Sequence, residues 1–189
     1  MFIQTEATPN PQVLKFLPGR QLLPGGSRQF ATAAEATGSP LARALFALEG
    51  VTRVYYGDDF LTVTKDADWD WAHLKAPILA EIMDHFTSGE PLLIGEEVEE
   101  GHADDVYEGE AAQVVAEIKE LIDTRIRPAV AQDGGDILFS RFEPDTGVVY
   151  LNMRGACSGC PSSAATLKSG VENLLRHYVP EVTRVEQTL

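Results

Sequence analysis

The chain has 189 residues, 44 % of them hydrophobic, and a formal net charge of −14. That length fits one large or two small domains with enough apolar material for real cores, which excludes global disorder. The acidic balance, 29 Asp and Glu against 15 Lys and Arg, argues against nonspecific nucleic-acid binding and against docking on anionic membranes, because both need basic patches. No apolar run approaches the ~18 residues of a membrane span. The start, Met1-Phe2-Ile3-Gln4-Thr5-Glu6, shows no basic region, long apolar stretch or Arg-rich character, so the expectation is a soluble, cytoplasmic chain.

Alternation predicts strands at Phe2–Thr5 and Val13–Leu17, stopped by Pro18-Gly19. Residues 20–38 are rich in Gly, Ala, Ser and Thr and read as a loop. Ser39-Pro40 is a helix start, a capping residue followed by Pro in the first turn. Leu41, Leu45 and Leu48 continue it, and Gly50 stops it. Val51–Tyr56 and Phe60–Lys65 predict a hairpin around Gly57-Asp58-Asp59. Trp71, Leu74, Ile78, Ile82 and Phe86 share a helical face, which Pro77 is expected to kink or split.

Charge is uneven along the chain. Residues 89–110 hold 9 acids and no Lys or Arg, whereas 1–88 hold 10 acids against 7 bases and 111–189 hold 10 against 8. The stretch reads as an acidic linker, its second half extended and solvated, spanning ~25 Å if flexible throughout. Its apolar part, Pro91–Ile94, is suited to docking on the first domain. This gives domains at 1–88 and 111–189 joined by the linker 89–110. Beyond it, Val115, Ile118, Leu121, Ile122 and Ile126 mark an amphipathic helix with Pro128 at its end. Strands follow at Ile137–Phe142 and Val148–Met153. A helix then carries Leu167, Val171, Leu174, Leu175 and Tyr178, and a short strand is predicted at Val182–Val185. Both domains read as α+β, each a small sheet with helices packed on one face.

The chemistry lies in Gly155-Ala156-Cys157-Ser158-Gly159-Cys160-Pro161-Ser162-Ser163, between a strand and a helix. Cys157 and Cys160 are the chain's 2 cysteines, too few for a disulfide framework. Near a helix start, dipole and free N–H groups are expected to lower thiol pKa and favour an anion. An all-thiolate [4Fe–4S] or [2Fe–2S] cluster takes four thiolates. His73, His85, His102 and His177 are scattered without ligand spacing, so the simplest closed site is two chains around a twofold axis, each giving Cys157 and Cys160. A four-thiolate zinc site needs the same dimer, and a dithiol oxidoreductase or redox sensor remains the alternative. A thioredoxin-like enzyme needs a βαβ unit before or around the motif, whereas a hairpin is predicted before it. Asp133-Gly134-Gly135-Asp136 reads as a turn ending the first helix, or as a turn that packs near the cluster and shapes its loop. Trp69, Trp71, Tyr55 and Tyr56 read as core or half-buried residues rather than a ligand cage. No nucleophile–base–orienter set, phosphate loop or metalloprotease spacing is present, so no enzyme is expected. Few apolar residues near the loop look free, so the metal-free chain is expected to be monomeric or weakly associated.

Residues 111–189 resemble the NifU-like C-terminal (Nfu) domain in Asp133-Gly134-Gly135-Asp136-Ile137, in the cysteine loop from Gly155 to Ser163, in Thr166-Leu167-Lys168 and in Gly170-Val171-Glu172. Residues 1–88 resemble the N-terminal domain of Nfu proteins of the mitochondrial and related bacterial type. The matches there are Met1–Glu6, Thr8-Pro9-Asn10-Pro11, Leu14–Gly19, Ser39-Pro40-Leu41-Ala42 and Asp59–Lys65. The resemblance implies an iron–sulfur cluster scaffold that holds one [4Fe–4S] cluster per homodimer through Cys157 and Cys160. Its implied partners are upstream cluster assembly proteins and recipient apo iron–sulfur proteins. A [2Fe–2S] cluster or adventitious zinc is the alternative occupant. The N-terminal domain's implied role is structural or in target recognition.

Overall fold

A computed structural model describes residues 2–95, 99–100, 102–103, 106–158 and 161–188, with side chains at all of these except 99, 100 and 161–164. The chain divides into two units, residues 1–100 and 101–189. Both mix sheet and helix, as the sequence predicts.

In the first unit, strands β1 (Gln4–Ala7), β2 (Val13–Leu17), β3 (Gly26–Phe30), β4 (Val51–Tyr56), β5 (Leu61–Lys65) and β6 (Glu99–Glu100) form one sheet in the order β1-β2-β5-β4-β3-β6. Neighbouring strands pair antiparallel. Helix α1 (Pro40–Phe46) starts as expected: the Ser39 Oγ accepts the Ala42 N–H at 3.3 Å and lies 2.9 Å from the Tyr56 hydroxyl. Helix α2 (Trp71–Ser88) is capped by Asp70 and ends at Gly89, φ +74°. Leu41, Leu45, Ile78 and Ile82 from these helices pack on Phe16 and Val54 of the sheet.

One expectation fails here, and of the two readings of Pro77 the split falls away. The stretch 20–38 contains β3, which has little apolar alternation to announce it. It is a strand because β4 pairs with its backbone, and Phe30, fully buried, anchors it. Pro77 neither splits nor ends α2. It lies on the exposed side, where water can serve the carbonyl its missing N–H leaves unpaired.

The second unit begins with α3 (Glu110–Leu121), followed by a π-helical segment at Ile122–Ile126 and by α4 (Arg127–Gln132). The π-helical step lies just ahead of Pro128, where the Arg127 N–H reaches the Ile122 carbonyl. Strands β7 (Gly135–Glu143), β8 (Val148–Gly155) and β9 (Arg184–Gln187) form a sheet in that order. β7 and β8 run antiparallel, with a register shift between Phe139 and Arg141, while β8 and β9 run parallel. Helix α5 (Pro161–Tyr178) connects β8 to β9. Ile118, Ile122, Phe139, Leu151, Leu175 and Val185 are among the buried core.

The apolar part of the acidic stretch docks on the first unit as expected, and its second half, largely exposed where described, is also bonded at several points. Leu92 and Leu93 pack against the first unit's core, and the Ile94 N–H donates to the Gly38 carbonyl at 2.7 Å. Glu99–Glu100 pair with Gly26 and Ser27 of β3. Within the second unit, the Ala103 N–H donates to the Phe139 carbonyl at 3.0 Å. Charge repulsion keeps such a segment out of a core, but its backbone can still bond to sheet edges. Residues 96–98, 101 and 104–105 lie outside the described residues. Among the described residues no helix is long and apolar enough to cross a membrane.

Candidate functional site

β8 ends at Gly155, whose φ of +61° turns the chain off the sheet. The loop then folds back on the end of the β7–β8 pair. The Ala156 N–H donates to the Gly134 carbonyl at 3.0 Å and the Cys157 N–H to the Arg154 carbonyl at 3.3 Å. The Ser158 N–H and hydroxyl both donate to the Gly155 carbonyl, at 3.1 and 2.9 Å. Cys157 is left 6 % exposed against the second core. Cys160 and Gly159 lie outside the described residues. Pro161 opens α5, the first-turn position the sequence predicts for it.

The Asp133-Gly134-Gly135-Asp136 turn bears out its first reading and lies against the Cys157 part of the loop. It ends α4, with Gly134 at φ +80°. A Cβ on Gly135 would collide with the Cys157 Sγ and lie 3.0 Å from both the Arg154 carbonyl oxygen and the Cys157 nitrogen. Glycine is therefore what lets the thiol rest on β7. Asp136, 5 % exposed, accepts the Ile137 N–H and is gripped bidentately by Arg127 at 2.8 and 3.1 Å. Arg127 also donates to Asp123 at 3.0 Å. Burial works against the guanidinium charge, but the hydrogen bonds and charges of Asp136 and then Asp123 outweigh it and hold the Arg127 pKa above its ordinary value.

The expectation of a lowered thiol pKa fails for Cys157. Burial, followed by the nearby charges of Asp133 and Asp136, pushes it up to about 12. The thiol sits in the core ahead of the helix start, so desolvation dominates any dipole. The hairpin predicted ahead of the motif is present as β7 and β8, but β8, α5 and β9 also form a β-α-β unit whose first junction carries the cysteine loop.

Residues shared with the resembled motif moor α5 to β9. Lys168 Nζ lies 2.6 Å from Glu186 Oε2, which lowers the Glu186 pKa, and Glu172 accepts the Val185 N–H at 3.0 Å. Nothing within 4 Å of a Cβ on Gly170 requires glycine there. Among the described residues no three His, Cys, Asp or Glu side chains gather as a metal site. Trp71 donates to the Pro11 carbonyl at 3.0 Å, Tyr55 and Tyr56 are buried, and Trp69 covers Gly50, so none forms a cage. The Arg127 clamp was not visible in the sequence, because a spacing of nine residues across a π-helical step has no recognisable period.

Comparison with known proteins matches residues 3–89 to the family model "Scaffold protein Nfu/NifU N terminal" and residues 118–186 to "NifU-like domain". "NifU-like protein 5, mitochondrial" of Arabidopsis thaliana is 52 % identical over 187 residues, covering 99 % of this chain and 68 % of that protein. The Homo sapiens "NFU1 iron-sulfur cluster scaffold homolog, mitochondrial" is 52 % identical over 190 residues, covering 100 % and 72 %. A solution structure of a NifU-like protein from Saccharomyces cerevisiae covers 51 % of this chain and 87 % of that one, at 31 % identity and a TM-score of 0.46. The expected cytoplasmic location is corrected by these relatives, which are named as mitochondrial proteins. That expectation rested on the character of a few opening residues, and neither the fold nor the cysteine loop encodes a compartment.

Proposed function

We propose that this chain, which belongs to the Nfu/NifU-like scaffold family, carries an iron–sulfur cluster as cargo and passes it to apo-proteins. Cys157 and Cys160 supply the ligands, and two chains complete the four thiolates of one [4Fe–4S] cluster. The observation that carries this reading is a loop built around Cys157, with glycine beneath it at Gly135 and α5 beginning just beyond Cys160. Soft thiolates suit iron–sulfur chemistry. Each subunit holds half the ligands, so separating subunits opens the site and a recipient's thiolates replace the originals stepwise. The stretch from 111 to 189, in the second unit, binds the cluster, the stretch from 1 to 88, in the first, serves structure or target recognition, and neither is catalytic. Burial of Cys157 weighs against a dithiol oxidoreductase, which needs an accessible thiolate.

Anaerobic reconstitution with iron and sulfide, followed by Mössbauer spectroscopy and size exclusion, tests cluster type and stoichiometry together. The expected product is a dimer with one [4Fe–4S] cluster. Full iron binding by Cys157→Ser, or none by the wild type, overturns the reading. Light scattering on the metal-free chain is expected to give a monomer or a weak dimer.

A further inference from the structure

β7 is an edge of its sheet, and an edge strand presents backbone groups that no other strand satisfies. Here the acidic segment satisfies them at two points. The Phe139 N–H donates to His102 Nδ1 at 2.8 Å, and its carbonyl accepts the Ala103 N–H at 3.0 Å. Further along, the Phe142 N–H donates to the Tyr107 hydroxyl at 2.7 Å, and that hydroxyl donates to the Phe142 carbonyl at 3.1 Å. Lys119 Nζ donates to the Ala103 carbonyl at 2.9 Å and lies over the Phe139 ring. The register shift of β7 falls between the two points.

One of these bonds dictates a protonation state. Nδ1 accepts, so it carries no proton, and the hydrogen-bond network assigns the neutral ring's proton to Nε2. Nε2 is 3.1 Å from Asp123 Oδ1, without hydrogen-bond geometry. A proton on Nδ1 sets one N–H against another and leaves the Phe139 amide unpaired. The charged groups around the ring are Asp123 in the π-helical segment, Arg127 on α4 and Lys119 on α3. The side chain is 7 % exposed. Burial lowers its pKa most, Asp123 opposes this, and Arg127 and Lys119 add to it.

We propose that His102 and Ala103, with Tyr107 further along, strap the β7 edge, a contact closed at Phe139 while His102 is neutral and opened there by its protonation, which bares the Phe139 backbone. This does not rest on the cluster function. The strap is a property of the chain without cargo.

The test is residue-resolved amide exchange by NMR on the full metal-free chain. One pH unit below the ordinary histidine pKa, protonation favours the open form by about tenfold. The Phe139 protection factor is therefore expected to fall about tenfold between roughly pH 7.5 and 5.5. Val179, whose N–H is bonded to the Leu175 carbonyl, should keep its protection. His102→Ala should leave Phe139 poorly protected at both values. Tyr107→Phe should weaken Phe142 alone and preserve the pH response of Phe139. A Phe139 response no larger than that of Val179, or one that survives in His102→Ala, overturns the proposal. Should His102→Ala not fold, the wild-type His102 ring titration decides. A depressed midpoint coinciding with loss of Phe139 protection supports the strap, and an ordinary midpoint overturns it.

Discussion

Gly50 and Gly135 show how differently the two units use the same residue. Gly50 has φ +92°, and a Cβ there would strike the Trp69 ring, a side chain 36 % exposed. Gly135 needs no left-handed φ, and a Cβ there would strike the Cys157 thiol and crowd two backbone atoms. An exposed indole can swing aside, whereas a buried loop tied by backbone hydrogen bonds cannot. The first unit uses glycine to turn the chain beneath an aromatic lid, and the second to bring a sulfur onto a strand. Both units are α+β, and both cysteines lie in the second.

Variants sharpen or break this contrast. Both tryptophans, Trp69 and Trp71, lie in the first unit, so their fluorescence reports that unit while far-UV circular dichroism reports both. The largest effect is expected from Arg127→Met, which leaves the buried Asp136 carboxylate without its cation and costs the second unit about 3 kcal/mol. In urea, the circular dichroism should then show an early transition that fluorescence does not share. Gly135→Ala should cost about 2 kcal/mol in the same unit and abolish iron uptake with both cysteines intact. If it takes up iron like the wild type, the contrast fails. Gly50→Ala should cost the first unit about 1 kcal/mol through its backbone conformation, shifting the fluorescence transition and sparing iron uptake.

The smallest effect concerns His85, buried in α2 with Nε2 unpartnered. Burial is the main cause lowering its pKa, with Arg20 adding and Glu90 opposing. The folded form then binds fewer protons than the unfolded form. Stability from this group is full above the ordinary value of 6.5 and is lost as pH falls below it. The fluorescence midpoint in urea should decline on acidification, and His85→Gln should flatten that decline.

What could be read from the sequence was local. Ser39-Pro40 announced α1, the turn at Gly57-Asp58-Asp59 joined β4 to β5, and the Cys157 loop carried its own glycines. What escaped depended on partners far along the chain. β3 is a strand because β4 and β6 flank it, and β9 lies two residues beyond its apolar signal because β8 sets its register. The Cys157 environment escaped for the same reason. A helix start suggests an acidified thiol, but burial against β7 reverses the sign. His102 looked like one of several scattered histidines, and only the strand beside it gives it a role.

The parallel pairing of β9 with β8 also sets an order in time. The loop is held by β8 at one end and by α5 at the other, and α5 is moored through Lys168 and Glu172 to residues 184–187. As the chain leaves the ribosome, Cys157 and Cys160 emerge while β9 does not yet exist. Both cysteines then sit on a stretch of chain whose partner strand is still missing. The loop around Cys157 is complete only when the returning strand docks, so its folding follows synthesis of the unit rather than accompanying it.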